Sequence, residues 1–376
     1  MTFCSERRDT PDCRLLIVGN PDPVHVGAHF LHAAQGLGLT VEICDSNEAF
    51  AASWPLVKFN WKFRGHRPSH LDGFSQKVVE TCRRLQPAWM ISTGISPIAD
   101  WAVEKIGKLG VKRLNFLTDD PWNPAHLAPW FMKTLPLYDV VFSPRRANLT
   151  DLRQIGCNQV SYLPFAYAPE LHYPEPPVDP AEEDRFAADV IFIGGADADR
   201  VSSVVALIRA GFNVALYGGY WAKFRETKAH SRGHADPQTA RKAIGGAKVT
   251  LCLVRQANRD GHSMRTFEAP AIGGCLLMEK TEEHRQIFGR ELQAAAYFAD
   301  TDEMMDKLRW LLRNDGERNR LSLSSHQLIT EGGHTYRDRL YRMLSGSAGA
   351  LPAGSSVRSD TTQARMPALP GACFHT

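Results

Sequence analysis

Apolar runs of about six residues alternate with amphipathic stretches through the first 165 residues of the chain. Because a run of this length flanked by polar or glycine-rich segments is typical of a buried strand, we expect strands at 14–19, 40–45, 88–94, 113–117, 139–143 and 160–164. The stretches between them favour helices at 28–37, 78–85, 99–109 and 147–155. This alternation of strands and helices predicts a doubly wound parallel sheet with helices on both faces.

A proline-rich segment separates this half from a second half with the same pattern. Five prolines lie between residues 166 and 183, and proline neither continues a helix nor fits a central strand. Strands are then expected at 189–195, 213–219, 248–254 and 275–278, with helices at 201–210, 237–245, 266–272, 303–312 and 318–341. The predicted domains are 1–165 and 186–322, joined by the linker 166–185 and followed by a closing helix, 323–345, and a disordered tail, 346–376.

Composition excludes several classes of protein. The 376 residues are 43% hydrophobic, enough for two cores, and 44 Lys and Arg against 41 Asp and Glu leave a net charge of only +3, too little for a nucleic-acid partner. The first residues have no apolar core of signal-peptide length, and no window reaches the roughly 18 apolar residues of a membrane span. The eight cysteines contain no C-x-x-C pair. We therefore expect a cytoplasmic protein without transmembrane segments, and Trp54, Trp61, Trp122 and Trp130 are expected to pack within it.

The segment most informative about chemistry is the polar loop 258–264, which leads into the helix predicted at 266–272. A loop that enters a helix after a parallel strand presents free backbone N–H groups and the positive end of the helix dipole to an anion. Gly261 would let a phosphate approach closely, and Arg265 could donate charge-assisted hydrogen bonds to it. Glu268 fits a different task, because its two oxygens can accept hydrogen bonds from the vicinal hydroxyls of a ribose.

The run 265–274, Arg-Thr-Phe-Glu-Ala-Pro-Ala-Ile-Gly-Gly, followed by Leu-Leu-Met-Glu at 276–279, resembles the signature of the group-1 type glycosyltransferases. Within them it is most similar to the branch typified by the spore maturation protein CgeB. Weaker similarity extends over roughly residues 110–342. The resemblance implies a GT-B fold, in which two Rossmann-like domains face a central cleft and C-terminal helices close the structure. It also implies transfer of a sugar from a nucleotide-diphosphate donor to an unknown acceptor (a glycan, a small molecule or a protein), without a metal and with retention of configuration.

The resemblance further implies roles for individual residues. Glu268 matches the glutamate that holds the nucleotide ribose, and Gly261, His262 and Ser263 match the loop that faces the diphosphate and the sugar. Asp260 stands where related retaining enzymes have a longer acidic residue. Arg200, after the Gly194-Gly195 turn, is the cation expected near the leaving diphosphate, and Arg265 or Lys223 could provide a second charge. The nucleotide base is expected near 217–221 and 233–236.

Several alternatives remain open from the residues themselves. Asp119 and Asp120 could act as the base that activates the acceptor, and His25 and His29 compete for that role. The spacing of the two histidines could suit a metal on a helix, but no third ligand is apparent, so neither a metal nor a further cofactor is expected. A nucleotide-sugar epimerase on the same scaffold and a non-catalytic protein that has kept the fold are the two alternative functions.

Overall fold

Two parallel β-sheets, one in each half of the chain, organise the molecule. The computed structural model describes residues 14–347. The first half contains six strands and seven helices: β1 (Arg14–Gly19), α1 (Val26–Gly36), β2 (Thr40–Asp45), α2 (Asn47–Phe50), α3 (Trp54–Phe63), α4 (Leu71–Leu85), β3 (Trp89–Thr93), α5 (Asp100–Lys108), β4 (Lys112–Phe116), α6 (Pro129–Thr134), β5 (Val140–Ser143), α7 (Asn148–Gln154) and β6 (Val160–Tyr162). Its strands lie in the order β2-β1-β3-β4-β5-β6.

The second half forms a five-stranded sheet in the order β11-β10-β9-β7-β8. Its elements are α8 (Pro180–Phe186), β7 (Ala188–Ile193), α9 (Ala198–Arg209), β8 (Val214–Tyr217), α10 (Pro237–Gly246), β9 (Ala247–Cys252), α11 (Arg265–Ile272), β10 (Leu276–Glu279), α12 (Glu282–Phe288), β11 (Ala296–Phe298), α13 (Thr301–Arg313), α14 (Asp315–Glu331) and α15 (Tyr336–Ser347). Short 3₁₀ turns occur at Leu135–Leu137, Trp221–Lys223, Lys228–His230 and Gln256–Asn258.

The apolar runs form the centres of both sheets, as predicted. Residues 15–18 of β1 and 276–278 of β10 are completely buried, and every strand pair in the two sheets is parallel. The strand order reverses between β1 and β3 in the first sheet and between β7 and β9 in the second. Ligands of such sheets bind in the crevice beyond the carboxyl ends of the strands on either side of this reversal.

The predicted linker is more structured than its prolines suggest. Helix α8 begins at Pro180, the first helical position, where the missing N–H costs nothing. The side chain of Asp179 accepts hydrogen bonds from the amides of Ala181 and Glu182 and thereby caps the helix. The expectation that this composition excludes a helix was therefore wrong for the last part of the linker.

The end of the described chain returns to the first half. The predicted closing segment forms two helices, α14 and α15, and α15 packs against α1, where Tyr336 contacts the ring of Phe30. Backbone hydrogen bonds between Tyr167 and both His334 and Tyr336 fix the start of α15. Helix α15 extends to Ser347, beyond the predicted end at 345; the rest of the predicted tail lies outside the described residues.

Two of the tryptophans expected to pack do not. Trp122 and Trp130 are half-buried against the core of the first half, but Trp54 and Trp61 have relative exposures of 68% and 50%. Both lie on α3, a helix that the apolar pattern did not predict. In residues 14–347 no helix is long and apolar enough to span a membrane.

Candidate active site

The Gly194-Gly195 turn follows β7 at the point where the order of the second sheet reverses. The indole of Trp221 is fully buried and donates to the carbonyl oxygen of Gly194 at 2.7 Å. Gly218 packs against the same turn at φ +124°, and a Cβ there would lie 2.4 Å from that oxygen. The amide of Gly218 in turn donates to Gly233 at 2.7 Å. The structure thus places the two segments predicted near the nucleotide base, 217–221 and 233–236, side by side at this turn.

Arg200 ties the turn to the neighbouring strand end. Its guanidinium donates to the carbonyl oxygens of Gly195 at 3.3 Å and of Leu253, just after β9, at 3.1 Å. The side chain is buried, with an exposure of 8%, and burial lowers the pKa of Arg200 although it remains a cation. Because Nη1 and Nη2 bond to these two backbone oxygens, Arg200 fixes the geometry of the two strand ends.

Helix α11 begins beside this turn. No side chain caps its N-terminus. The amides of Thr266, Phe267 and Glu268 donate to carbonyl oxygens of the preceding turn, so the helix presents an anion with the positive end of its dipole. Arg265 reaches back to β7, where its Nε donates to the carbonyl oxygen of Ile193 at 3.3 Å. Its Nη1 also donates to Oε2 of Glu268, one turn along the helix. Glu268 is 2% exposed, so the motif pairs a buried carboxylate with a cation next to the glycine turn.

A buried group of aromatic and imidazole rings lies on the other side of Glu268. Nε2 of His172, a residue that the sequence did not single out, is 3.8 Å from Oε1 of Glu268. His29 approaches His172 edge-on and stacks on Tyr336 with ring centroids 4.6 Å apart. Burial, aided by the nearby positive charges of His32, His25 and Arg265, lowers the pKa of His29 to about 3. His29 is therefore uncharged at neutral pH, and it comes from α1, so this group joins the two halves of the chain.

The loop between β9 and α11 makes the main polar contact with the first half. Arg259 forms a bidentate ion pair with Asp120, at 2.6 and 3.1 Å, and a further pair with Asp151 at 2.7 Å. Asn258 donates to Asp119 at 3.1 Å and accepts from Asn123 at 2.5 Å. Asp120 is almost fully buried, and its hydrogen bond with Arg259 raises the pKa of the guanidinium.

Asp260, the predicted acidic residue of the donor loop, also faces the first half. Nε of Arg145 donates to its Oδ1, and the same guanidinium donates to the carbonyl oxygen of Thr118 at 2.9 Å. Both side chains are buried, with exposures of 3% and 6%. Burial raises the pKa of Asp260, and Arg145 only partly opposes the shift. We refer to Asp119, Asp120, Asp151, Arg145, Asn123, Asn258, Arg259 and Asp260 together as the inter-domain polar cluster.

His262, predicted to face the diphosphate and the sugar, makes two hydrogen bonds within the protein. Its Nε2 accepts from the amide of Phe165 at 3.2 Å, which leaves the Nδ1 proton for Oε2 of Glu283 at 2.5 Å. Glu283 also accepts from Tyr162 at 3.1 Å; burial raises its pKa, but the His262 hydrogen bond outweighs this and the net shift is downward. Both ring nitrogens of His262 are occupied by protein groups, so this side chain braces the loop.

Gly261 has a packing role, and the phosphate contact predicted for it stays a prediction. A Cβ at this position would lie 2.3 Å from Cδ of Glu283, so the absence of a side chain makes room for that carboxylate. The neighbouring Ser263 is half-buried, and its amide donates to Thr266 at 3.1 Å.

The sequence motif and the structure agree on one group of residues and differ on another. Gly194, Gly195, Arg265 and Glu268 come together, whereas Asp120, Asp260 and His262 are used for contacts between or within the domains. His25 is exposed at the start of α1, and Lys223 lies over the ring of Tyr220. In the described part of the chain no group of three or more His, Cys, Asp or Glu side chains is placed to hold a metal ion. Sequence reasoning missed Arg145, Asn123, His172 and Glu283, since none of them lies in a motif.

Two Rossmann-like domains with helices that return to the first domain define the GT-B fold of glycosyltransferases. Residues 200–345 match the model of a family described as glycosyl transferase-like. Comparison with curated protein sequences gives no match. The match to the family model lies in the half that carries Glu268, in accordance with the resemblance seen in the sequence; the more specific CgeB-like assignment stays a prediction.

Solved structures share the fold at low sequence identity. A sucrose-phosphate synthase from Thermosynechococcus elongatus has a TM-score of 0.61 at 12% identity, over 89% of this chain and 99% of that one. Alr3699/HepE of Anabaena, in complex with UDP and glucose, has a TM-score of 0.58 at 10% identity, over 89% and 100%. A putative UDP-N-acetylglucosamine 2-epimerase from Listeria monocytogenes has a TM-score of 0.51 at 12% identity, over 90% and 98%. The fold is thus shared by a sucrose-phosphate synthase and a putative epimerase, so the fold alone does not define the function of this chain.

Proposed function

We propose that the protein is a glycosyltransferase that moves a sugar from a nucleotide-diphosphate donor to an acceptor, without a metal ion and with retention. The observation that carries this proposal is the junction of the Gly194-Gly195 turn with the uncapped N-terminus of α11. Arg265 spans this junction by donating to Ile193 at 3.3 Å. A cation and the positive end of a helix dipole at the reversal point of a parallel sheet form a site for a diphosphate.

The remaining groups fit the rest of a nucleotide. A carboxylate offers about four lone-pair positions, and Arg265 occupies only part of this capacity on Glu268, so the carboxylate can also accept hydrogen bonds from a ribose diol. Arg265 and the helix N-terminus would stabilise the leaving diphosphate electrostatically. Arg200, whose donors are directed at the backbone, acts in this proposal as a positioning residue for the turn. UDP is the first nucleotide to test, because the Anabaena structure of the same fold contains it.

The donor site can be tested by thermal unfolding with UDP, GDP, TDP, CDP and ADP in the presence of EDTA. A nucleotide at about a hundred times its Kd should stabilise the protein by roughly 2.7 kcal/mol. We expect one nucleotide to do so, and the Glu268→Gln variant to lose most of the gain because an amide cannot accept two diol hydrogen bonds equally well. Glu331→Gln, an exposed position on α14, is the matched control and should behave as wild type.

Two results would count against this donor site. If no nucleotide stabilises the protein, the proposed donor site is wrong. If a nucleotide stabilises Glu268→Gln and wild type equally, Glu268 is not part of the site. A requirement for a divalent cation would contradict only the metal-independent part.

Asp119 is the best candidate for the base that activates the acceptor. It is bonded by Asn258 rather than by an arginine, and about a third of its side chain is exposed, whereas Asp120 and Asp260 are buried in ion pairs. Removal of a general base typically lowers the rate about 10²- to 10⁴-fold. We therefore expect Asp119→Asn to slow the release of UDP from UDP-glucose, measured with water as the acceptor, by about a hundredfold while UDP binding is retained. Asp100→Asn, at the start of α5, serves as the control, and an unchanged rate in Asp119→Asn would exclude this role.

Two other functions remain to be separated by experiment. The occupied ring of His262 disfavours an epimerase, which would need histidines and carboxylates directed at the sugar. The ion-paired Asp120 and Asp260 favour a non-catalytic protein that has kept the nucleotide site. Product analysis distinguishes them: an epimerase converts the nucleotide sugar without an acceptor, a transferase releases nucleotide, and a non-catalytic protein binds the nucleotide without turnover.

A further inference from the structure

Helix α3 exposes an unusual set of side chains. Seven of the sixteen exposed large hydrophobic residues in the described part of the chain lie between residues 50 and 63. The two most exposed of them on the helix are Trp54, at 68%, and Phe63, at 67%. Contiguous exposed apolar groups of this kind mark a contact surface, whereas scattered ones need no explanation.

The same helix is attached to the protein by a polar residue. Asn60 is the only buried residue of α3, and its side chain donates to Ser69 at 2.9 Å and accepts from Arg64. Trp61 stacks on His66 with ring centroids 4.1 Å apart, and the carbonyl oxygen of His66 accepts from Trp130 in helix α6. Helix α3 is therefore arranged opposite to a usual surface helix: its contact with the protein is polar, and its aromatic side chains face away from the core.

The charge around α3 is of one sign. No Asp or Glu occurs between Glu48 and Asp72, and both of these are paired, with Lys77 and Arg67 respectively. Within α3 itself, Lys58 lies 3.8 Å from the ring centroid of Trp54 and Lys62 lies 5.4 Å from that of Phe63. At about 100° per residue the two lysines lie on the side of the helix opposite Asn60. The outward face thus combines ammonium groups with aromatic rings on either side.

We propose that α3 docks the protein on the surface of an anionic lipid membrane. Lysines with aromatic residues beside them are typical of helices that lie in a membrane interface, where the rings enter the headgroup region and the ammonium groups contact lipid phosphates. A second copy of the chain fits less well, because pairing two α3 helices would bring their lysines together without a compensating carboxylate. The proposal does not depend on the nucleotide site.

The test measures co-sedimentation of the full-length protein with lipid vesicles. Vesicles of phosphatidylcholine are compared with vesicles in which about a third of the lipid is phosphatidylglycerol. We expect sedimentation with the anionic vesicles only, weakened by high salt. Trp54→Ser/Phe63→Ser and Lys58→Glu/Lys62→Glu should each lower the partition coefficient about tenfold or more. Val178→Ser/Leu323→Ser removes two exposed hydrophobic residues elsewhere and should bind like wild type.

All of these positions are exposed, so each variant should keep the wild-type unfolding temperature. Absence of binding to both kinds of vesicle by wild type would overturn the proposal, as would equal binding by the α3 variants. Light scattering adds a further outcome: a dimer that both α3 variants convert to monomer, without vesicle binding, would identify a second copy as the occupant and overturn the proposal.

Discussion

The two sheets direct their carboxyl ends at one cleft, but the polar residues on the two sides are stabilised differently. On the C-terminal side, Arg265 and Glu268 are three residues apart in one helix and pair with each other. On the N-terminal side, Asp120 is paired with Arg259, 139 positions away in the chain. The first arrangement is local and belongs to a recognisable motif, whereas the second exists only when the domains are together. Carboxylates that are equally plausible as site residues in the sequence therefore have different structural partners: Glu268 pairs within its own helix, and Asp120 pairs across the domains.

The largest expected effect comes from breaking the inter-domain polar cluster at Arg259. Its removal leaves the buried carboxylate of Asp120 without a cation, with only the amide of Trp122 still donating to it, and such losses cost about 3 kcal/mol. Arg255→Ala is the control, because Arg255 pairs with Asp197 in the same half, and both side chains are about a third exposed; its loss should cost less than about 1 kcal/mol. Urea unfolding followed by circular dichroism measures the free energy of unfolding of both variants. Equal losses would show that the inter-domain ion pair stabilises the protein no more than the Arg255–Asp197 pair does.

A smaller loss is expected for Gly261→Ala. The new methyl group would lie 2.3 Å from Cδ of Glu283, whose carboxylate is fixed by His262 and Tyr162, and such overpacking costs about 2 kcal/mol. Gly219→Ala is the control, since a Cβ there meets open space. An unchanged free energy of unfolding in Gly261→Ala would mean that Glu283 moves freely. The hydrogen bond between His262 and Glu283 would then contribute little to stability.

The smallest expected effect is the pH dependence of folding stability that His29 confers. The folded chain holds His29 unprotonated to about pH 3, while an unfolded histidine titrates near 6.5. Below pH 6.5 the unfolded chain binds a proton that the folded chain excludes, so stability falls as the pH decreases. Between about pH 7.5 and 5.5 the free energy of unfolding should fall by about 1.4 kcal/mol.

The His29→Phe variant keeps a ring against Tyr336 and should lose that part of the pH dependence. His32→Phe, an exposed position on the same helix, should retain it. Unfolding free energies at the two pH values measure the difference, and an unchanged pH dependence in His29→Phe would place the protonation elsewhere.

The apolar pattern predicted both sheets, since eleven described strands include the ten that it indicated. Helices α2, α3, α6, α8 and α12 and the edge strand β11 were missed, because short or exposed elements lack a buried periodic face. In the candidate site, the pairing of Arg265 with Glu268 follows from helical spacing. The partners of Asp119, Asp120 and Asp260 could not be predicted, because no local pattern encodes a contact across more than a hundred residues.

The alternation of strands and helices, the glycine turn after β7 and the motif on α11 could be predicted from the sequence, because they depend on propensity and on neighbours within one turn. The packing of the domains sets which acids stay outside ion pairs, fixes His262 against Glu283 and leaves the aromatic residues of α3 facing outward. These outcomes depend on which surfaces meet when the two domains pack, and a buried charge takes whatever partner that packing brings within reach.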